Sequence, residues 1–217
     1  MTAGFAIFSR ANATLAYLIA VLLLGGASAA AFPANTLLQL LGAGLIGWTL
    51  WSGSGPYRTR TGLRWFGIAL AVLALVQFVP LPPALWSALP GRDTVAQGFT
   101  MLDIAPPWLG LSLAPWKSLA ALSWWIPALA LFCAARSEGA PPVRQLVMTI
   151  ALFAGLSVLL GTMQRIAGSG YLYLVTNYGE GPGFFANSNH QGSFLLCALA
   201  LWGGSVVSEM RQDRRRK

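Results

Sequence analysis

Gly181–Gly192 reads Gly-Pro-Gly-Phe-Phe-Ala-Asn-Ser-Asn-His-Gln-Gly and contains the only histidine in 217 residues. Ser193–Val207, which follows, is almost wholly apolar. The polar groups therefore sit where a loop enters an apolar helix, and groups of that kind are costly to strip of water beside lipid. Two readings follow. In the first, Asn187, Ser188 or Asn189 caps the helix that begins near His190, with a side-chain oxygen accepting from a free backbone N–H. One Asn achieves that alone, which leaves Asn-Ser-Asn-His as a unit unexplained. In the second, the mouth binds an anion. A helix N-terminus presents unpaired N–H groups and partial positive charge, and it takes phosphate readily. Asn187 and Asn189 add donors, and His190 adds one more, with positive charge when protonated. Gln164 and Arg165 lie on the same predicted side and complete the candidate substrate-binding set.

The elements that position these residues are membrane helices. The chain is 56% hydrophobic and 9% charged, with a mean hydropathy of +0.62. Its apolar runs approach the roughly 20 residues needed to span a bilayer. Six spans are expected, at about 14–32, 35–51, 64–80, 117–135, 143–162 and 191–208. The reading is an all-α, polytopic membrane helical bundle with about six transmembrane helices. Most of the nine tryptophans fall near predicted span ends, where amphipathic rings favour the headgroup level. Glycines within spans, such as Gly42, Gly44, Gly47, Gly155 and Gly161, allow close helix packing.

The net charge of +8 does not indicate nucleic acid, because no folded basic domain carries it. Arg211, Arg214, Arg215, Arg216 and Lys217 instead follow an apolar span, as a cytoplasmic anchor near anionic lipid does. Placing both termini in the cytoplasm puts Arg10, Arg58, Arg60, Arg64, Arg136, Arg144 and that terminal cluster inside. Only Arg92, Lys117 and Arg165 then fall outside, a strong positive-inside bias. Arg10, Leu15–Leu24 and Ala27-Ser28-Ala29 resemble a secretory signal. An uncleaved first helix is expected because the apolar stretch continues to Phe32. Cys133 and Cys197 lie in predicted helices without metal-ligand spacing. No metal, cofactor, Walker loop or zinc motif is indicated.

Two external loops follow from this topology. The first, 81–116, is rich in Pro and Trp, and Pro82–Leu89 reads as a short interfacial helix with Pro in its first turn. It is either a greasy surface loop or a lip that guides a lipid-linked substrate. The second, 163–190, contains Gln164, Arg165, Tyr171, Tyr173, Asn177, Tyr178 and Glu180. Gly179, Gly181 and Gly183 there permit sharp turns and close backbone approach. Tyrosines and amides suit sugar or phosphate contacts, and they also suit a plain membrane-surface loop. The polar mouth as a whole suits the diphosphate of a polyprenyl-linked sugar at the outer membrane face.

Gly183-Phe184-Phe185-Ala186-Asn187-Ser188-Asn189-His190, followed by Gly192 and an apolar helix, resembles the G-x-F-x-N-x-N-H signature of the O-antigen ligase and O-antigen polymerase family. Val79-Pro80-Leu81-Pro82-Pro83 with Trp86 and Leu89-Pro90-Gly91-Arg92 is similar to that family's first external loop. Leu111-Ser112-Leu113-Ala114-Pro115 resembles the lead-in to its next span, and Gly161-Thr162-Met163-Gln164 the end of the span before the signature.

The resemblance implies a metal-independent glycosyltransferase of the bacterial inner membrane that faces the periplasm. Such enzymes move a glycan from undecaprenyl diphosphate to lipid A–core or to another carrier-linked repeat. An acceptor hydroxyl attacks the anomeric carbon and the lipid diphosphate leaves. Positive or hydrogen-bonding groups must stabilise that leaving group. The family carries further spans, and a periplasmic loop with essential Arg and His residues, after the signature. Nothing in residues 1–217 corresponds to that loop. The chain is therefore expected to be the N-terminal transmembrane half of such an enzyme, acting with a C-terminal half or partner subunit. His190 belongs to the signature and is not the family's catalytic histidine. A second reading is a non-catalytic membrane protein, a permease half or accessory subunit. Against it, the spans lack the ionisable groups that transporters place there.

Overall fold

The computed structural model describes residues 9–27, 33–51 and 61–216. Ser28, Ala29, Phe32, Arg58, Arg60 and Lys217, which entered the expectations above, lie outside the described residues. Every regular element among those described is a helix. In chain order they are α1 (Arg10–Leu24), α2 (Pro33–Trp51), α3 (Thr61–Val76), α4 (Pro83–Trp86), α5 (Asp93–Met101), α6 (Pro115–Ser123), α7 (Trp125–Arg136), α8 (Val143–Ala167) and α9 (Ser188–Arg216). The all-helical class and the membrane character hold. Among the described residues, three segments are long and apolar enough to cross a bilayer: Pro115–Arg136, Val143–Ala167 and Ser188–Gln212. The helices at the first three expected spans are shorter or more polar. α1 has 15 residues, α3 has 16, and α2 carries Asn35 and Gln39 in its first turns.

The chain forms two units, one of Met1–Gly55 with Ile126–Lys217 and the other of Pro56–Trp125. In the first, α8 packs against α9, α1 against α2, and α1 against α8. Ser9 caps α1 by accepting from the Asn12 N–H at 3.1 Å, and Arg10 donates to the Glu138 carbonyl at 2.9 Å. Tyr17, Leu38, Leu45, Ala130 and Ala134 form the buried apolar cluster. The Tyr17 hydroxyl donates to the Leu38 carbonyl at 2.7 Å and packs against Gly42, where a Cβ would crowd the ring. Gly42 thus does what was expected of it. Gly44, Gly47 and Gly155 instead face open space.

The second unit organises the expected Pro/Trp loop more fully than its sequence promised. The short helix is α4, and α5 is an additional helix. Trp86 is fully buried. Its indole N–H donates to the Pro107 carbonyl at 2.9 Å, and its ring meets Phe99 edge-on at 6.1 Å. Leu81 and Leu109 pair through both backbone bonds, at 2.9 and 3.2 Å. Arg92 is buried, with its guanidinium on the carbonyls of Gly110 and Leu111.

Trp86→Ala removes the plug and the hydrogen bond together, and is expected to destabilise the loop by about 3–5 kcal/mol. Trp86→Phe keeps much of the volume and is expected to lose about 1 kcal/mol plus a small packing loss. Limited proteolysis within residues 87–114 reads both: cleavage should accelerate strongly in the first variant and weakly in the second.

Candidate functional site

The signature residues are held by α8. This helix ends at Gly168, whose left-handed backbone (φ 64°) lets its N–H return to the Gln164 carbonyl. Gln164, one turn earlier, is fully buried. Its Nε2 donates to the carbonyls of Gly170 and Gly183, each at 3.1 Å, and its Oε1 accepts from the Gly183 N–H at 2.8 Å. One side-chain amide thus pairs with both backbone groups of Gly183, as a neighbouring strand would. One turn lower on that face, Gly161 admits the loop backbone: a Cβ there would lie 2.5 Å from the Gly181 carbonyl oxygen. Lower still, Ser157 Oγ accepts from the Phe184 N–H at 3.2 Å, and its carbonyl accepts from Gln191 Nε2 at 3.3 Å. The residues of α8 that meet the loop, Ser157, Gly161 and Gln164, follow helical spacing.

The rest of the loop is pinned from two further sides. The Ala186 N–H donates to the Gly26 carbonyl at 2.8 Å, and the Ala186 carbonyl accepts from the Asn177 N–H at 3.1 Å and from Thr176 Oγ1 at 2.9 Å. The rings of Phe184 and Phe185 pack on Phe153 and Phe194, at 5.9 and 5.4 Å between centroids. Tyr171 accepts from the Gly179 N–H at 2.7 Å and donates to the Gln164 carbonyl at 3.3 Å. Tyr178 lies edge-on against it. Burial pushes the Tyr173 hydroxyl above its ordinary value, against an opposing hydrogen bond with the Gly26 backbone.

The structure separates the five candidate residues by role. Gln164 holds the loop, and its amide is engaged inside the fold. Asn187 caps α9: its Oδ1 accepts from the Asn189 N–H at 2.8 Å, and its carbonyl accepts from the N–H groups of His190 and Gln191. The capping reading therefore holds for Asn187, and much of the free N–H array expected at the helix mouth is already satisfied. Asn189 and His190 are exposed, and neither side chain bonds another described residue. Arg165 is exposed too, fixed at one point where Nη1 donates to the Gly179 carbonyl at 2.5 Å. Next to Gly179, Glu180 bonds the Ser188 hydroxyl in the first turn of α9. Gly179–Glu180 thus links Arg165 to the helix mouth. These exposed side chains offer amide, imidazole and guanidinium donors, with the Glu180 carboxylate engaged at Ser188.

Sequence reasoning missed Ser157, Gly26 and Gln191. Gly161 was read as a helix-packing glycine, but it packs against loop backbone. The signal available for Ser157 and Gly161 was their helical register with Gln164 on one face of α8. No comparable signal marks Gly26, which meets the loop only through the fold. Among the described residues, no three of His, Cys, Asp and Glu come together as metal ligands do. No family model, curated protein or solved structure matches the chain.

Gly183 (φ 62°) has no room for a side chain, since a Cβ would lie 2.6 Å from the Ser157 carbonyl oxygen. Gly183→Ala is expected to destabilise by about 1–3 kcal/mol from strain and crowding. Gln164→Leu strands the buried Gly183 backbone groups and should lose a similar or larger amount, about 1–3 kcal/mol for each group left unpaired. Thermal unfolding in detergent measures both. Asn189→Ala and His190→Ala should leave the melting temperature unchanged.

Proposed function

We propose that this chain is the N-terminal transmembrane part of an O-antigen ligase-like glycosyltransferase of the bacterial inner membrane. The exposed rim of Asn189, His190 and Arg165 binds the diphosphate of a lipid-linked glycan. The observation that carries this reading is the division within the signature. Gly183, Phe185 and Asn187 are used internally, which leaves Asn189 and His190 as exposed donors with no side-chain partner among the described residues. A polar side chain without a described partner, beside a loop tied down at several points, is placed to meet something else.

In this reading the acceptor hydroxyl oxygen forms a bond to the anomeric carbon as the bond to the diphosphate oxygen breaks, and the hydroxyl proton passes to the departing diphosphate. Negative charge grows on the departing diphosphate. The Asn189 amide, the His190 ring and the Arg165 guanidinium are donors suited to that charge, and charge-assisted bonds of this type are about twice as strong as neutral ones. Gln164 and Asn187 contribute by holding the rim, which avoids reorganisation as charge develops. The acceptor is lipid A–core or a second carrier-linked repeat. The loop of 81–116 lies on the same, periplasmic, side, and both termini are cytoplasmic across six spans.

Two measurements test the reading. In the full-length protein, Asn189→Ala and His190→Ala are each expected to lower glycan transfer about tenfold or more, equivalent to about 1.4 kcal/mol of transition-state stabilisation, with normal membrane insertion. Wild-type O-antigen ladders on lipopolysaccharide gels from both variants would refute the rim as the substrate site. Alkaline phosphatase fused after residue 100 and after residue 175 should be active, and fused after residue 138 inactive. Activity at residue 138 would refute the topology.

A further inference from the structure

The seam between α8 and α9 opens to an apolar groove of about 330 Å³, lined by Ala151, Gly155 and Val158 on one side and Leu195, Leu199 and Trp202 on the other. Gly155 leaves it open, since a Cβ there would meet nothing within 4 Å. The register of each helix extends the groove towards the loop. On α8 the stripe at 151, 155 and 158 continues at Thr162 and then Arg165. On α9 the stripe at 202, 199 and 195 continues back to Gly192, again with open space where a Cβ would stand, and then Ser188. From Ala151 to Arg165 the rise is about 21 Å, enough to run through one leaflet of a hydrocarbon core about 30 Å thick.

The α8 stripe that lines the groove thus leads on to a cation, Arg165, two register positions past Val158. Arg165 uses one N–H on the Gly179 carbonyl and retains further donors. It forms no ion pair among the described residues, where the one salt bridge joins Arg144 and Glu209. The carboxylate closest in the chain, Glu180, is bonded to Ser188. An amphiphile with an anionic head and a long apolar chain matches both ends. A second helix would fill the apolar stripe but would bring no counter-charge to Arg165.

We infer that this groove seats one chain of an anionic phospholipid of the bilayer, with its phosphate held by Arg165. The inference shares Arg165 with the proposed glycan site and does not depend on glycan transfer. Native mass spectrometry tests it on the full chain, released from nanodiscs of equal phosphatidylglycerol and phosphatidylcholine. The wild type should retain phosphatidylglycerol in preference to phosphatidylcholine. Arg165→Gln should remove that preference. Gly155→Leu within the groove and, independently, Gly192→Leu one turn beyond its α9 lining obstruct the stripe from either helix and should lower retained lipid about fivefold, with helicity and melting temperature preserved. Asn189→Ala with His190→Ala, which disables the proposed glycan rim, should retain lipid as the wild type does. Three results would each overturn the inference: no headgroup preference in the wild type, undiminished lipid in both glycine variants, or a wild-type dimer that Gly155→Leu converts to monomer. The last result would assign the groove to a second copy of the chain.

Discussion

The Gln164 amide, paired with both backbone groups of Gly183, is the interaction on which the candidate site depends. A loop that crosses the end of a membrane helix must satisfy its N–H and C=O groups where water is scarce. Gln164 does this with one planar group that both donates and accepts. Register then follows for the neighbours. Gly181 lies against Gly161, Phe184 reaches Ser157, and Asn187 arrives where it can cap α9. Had α8 ended a turn earlier, as its apolar run suggested, Gln164 would belong to the loop and could not clamp it.

This arrangement explains why a short polar sequence is so uneven in its demands. Gly183 needs a positive φ and has no space for a Cβ. Phe185 needs a ring to meet Phe194, and Asn187 needs a short side chain whose oxygen reaches the N–H two residues on. Asn189 and His190 are under no such constraint from the fold. Their backbone is fixed by the capped first turn of α9, so their donors are offered from a defined place, which lowers the ordering cost of meeting a charged group.

Outside the loop, the helices bury little of their apolar surface against one another. Only 6% of the most apolar window of α9 is buried within the chain, and 17% of that of α8. In water such faces would drive aggregation. In a bilayer they are solvated by lipid, and helix association rests on close packing and hydrogen bonds instead. The contacts of α1 have that character: a tyrosine hydroxyl on a backbone carbonyl, and a glycine that lets the ring approach. The Pro/Trp-rich loop of the second unit is the exception. It carries its own core in Trp86 and ties its backbone through Arg92 and the Leu81–Leu109 pair.

The sequence by itself determined that the chain is helical and apolar enough for a membrane, because these properties are sums over long runs and need no partner. It also located the polar mouth and the left-handed glycines, since a lone histidine, two asparagines and a Gly-Pro-Gly turn are legible one residue at a time. It placed the starts of α8 and α9 within three residues, the cap at Asn187 beginning α9 before the expected Gln191, while both helices run on past their expected ends, at 162 and 208, to Ala167 and Arg216. Tertiary structure alone decided which polar residues are structural. Gln164 and Asn189 are both amides in the candidate set, but one is enclosed by Gly170 and Gly183 and the other faces outward. Arg92, which the sequence marks only as one more basic residue, is enclosed by carbonyls from a segment 18 residues away. Gly26 meets Ala186 across most of the chain. Local pattern carries no record of such pairings, because what decides the role of a polar side chain is the distant backbone that the fold brings to it.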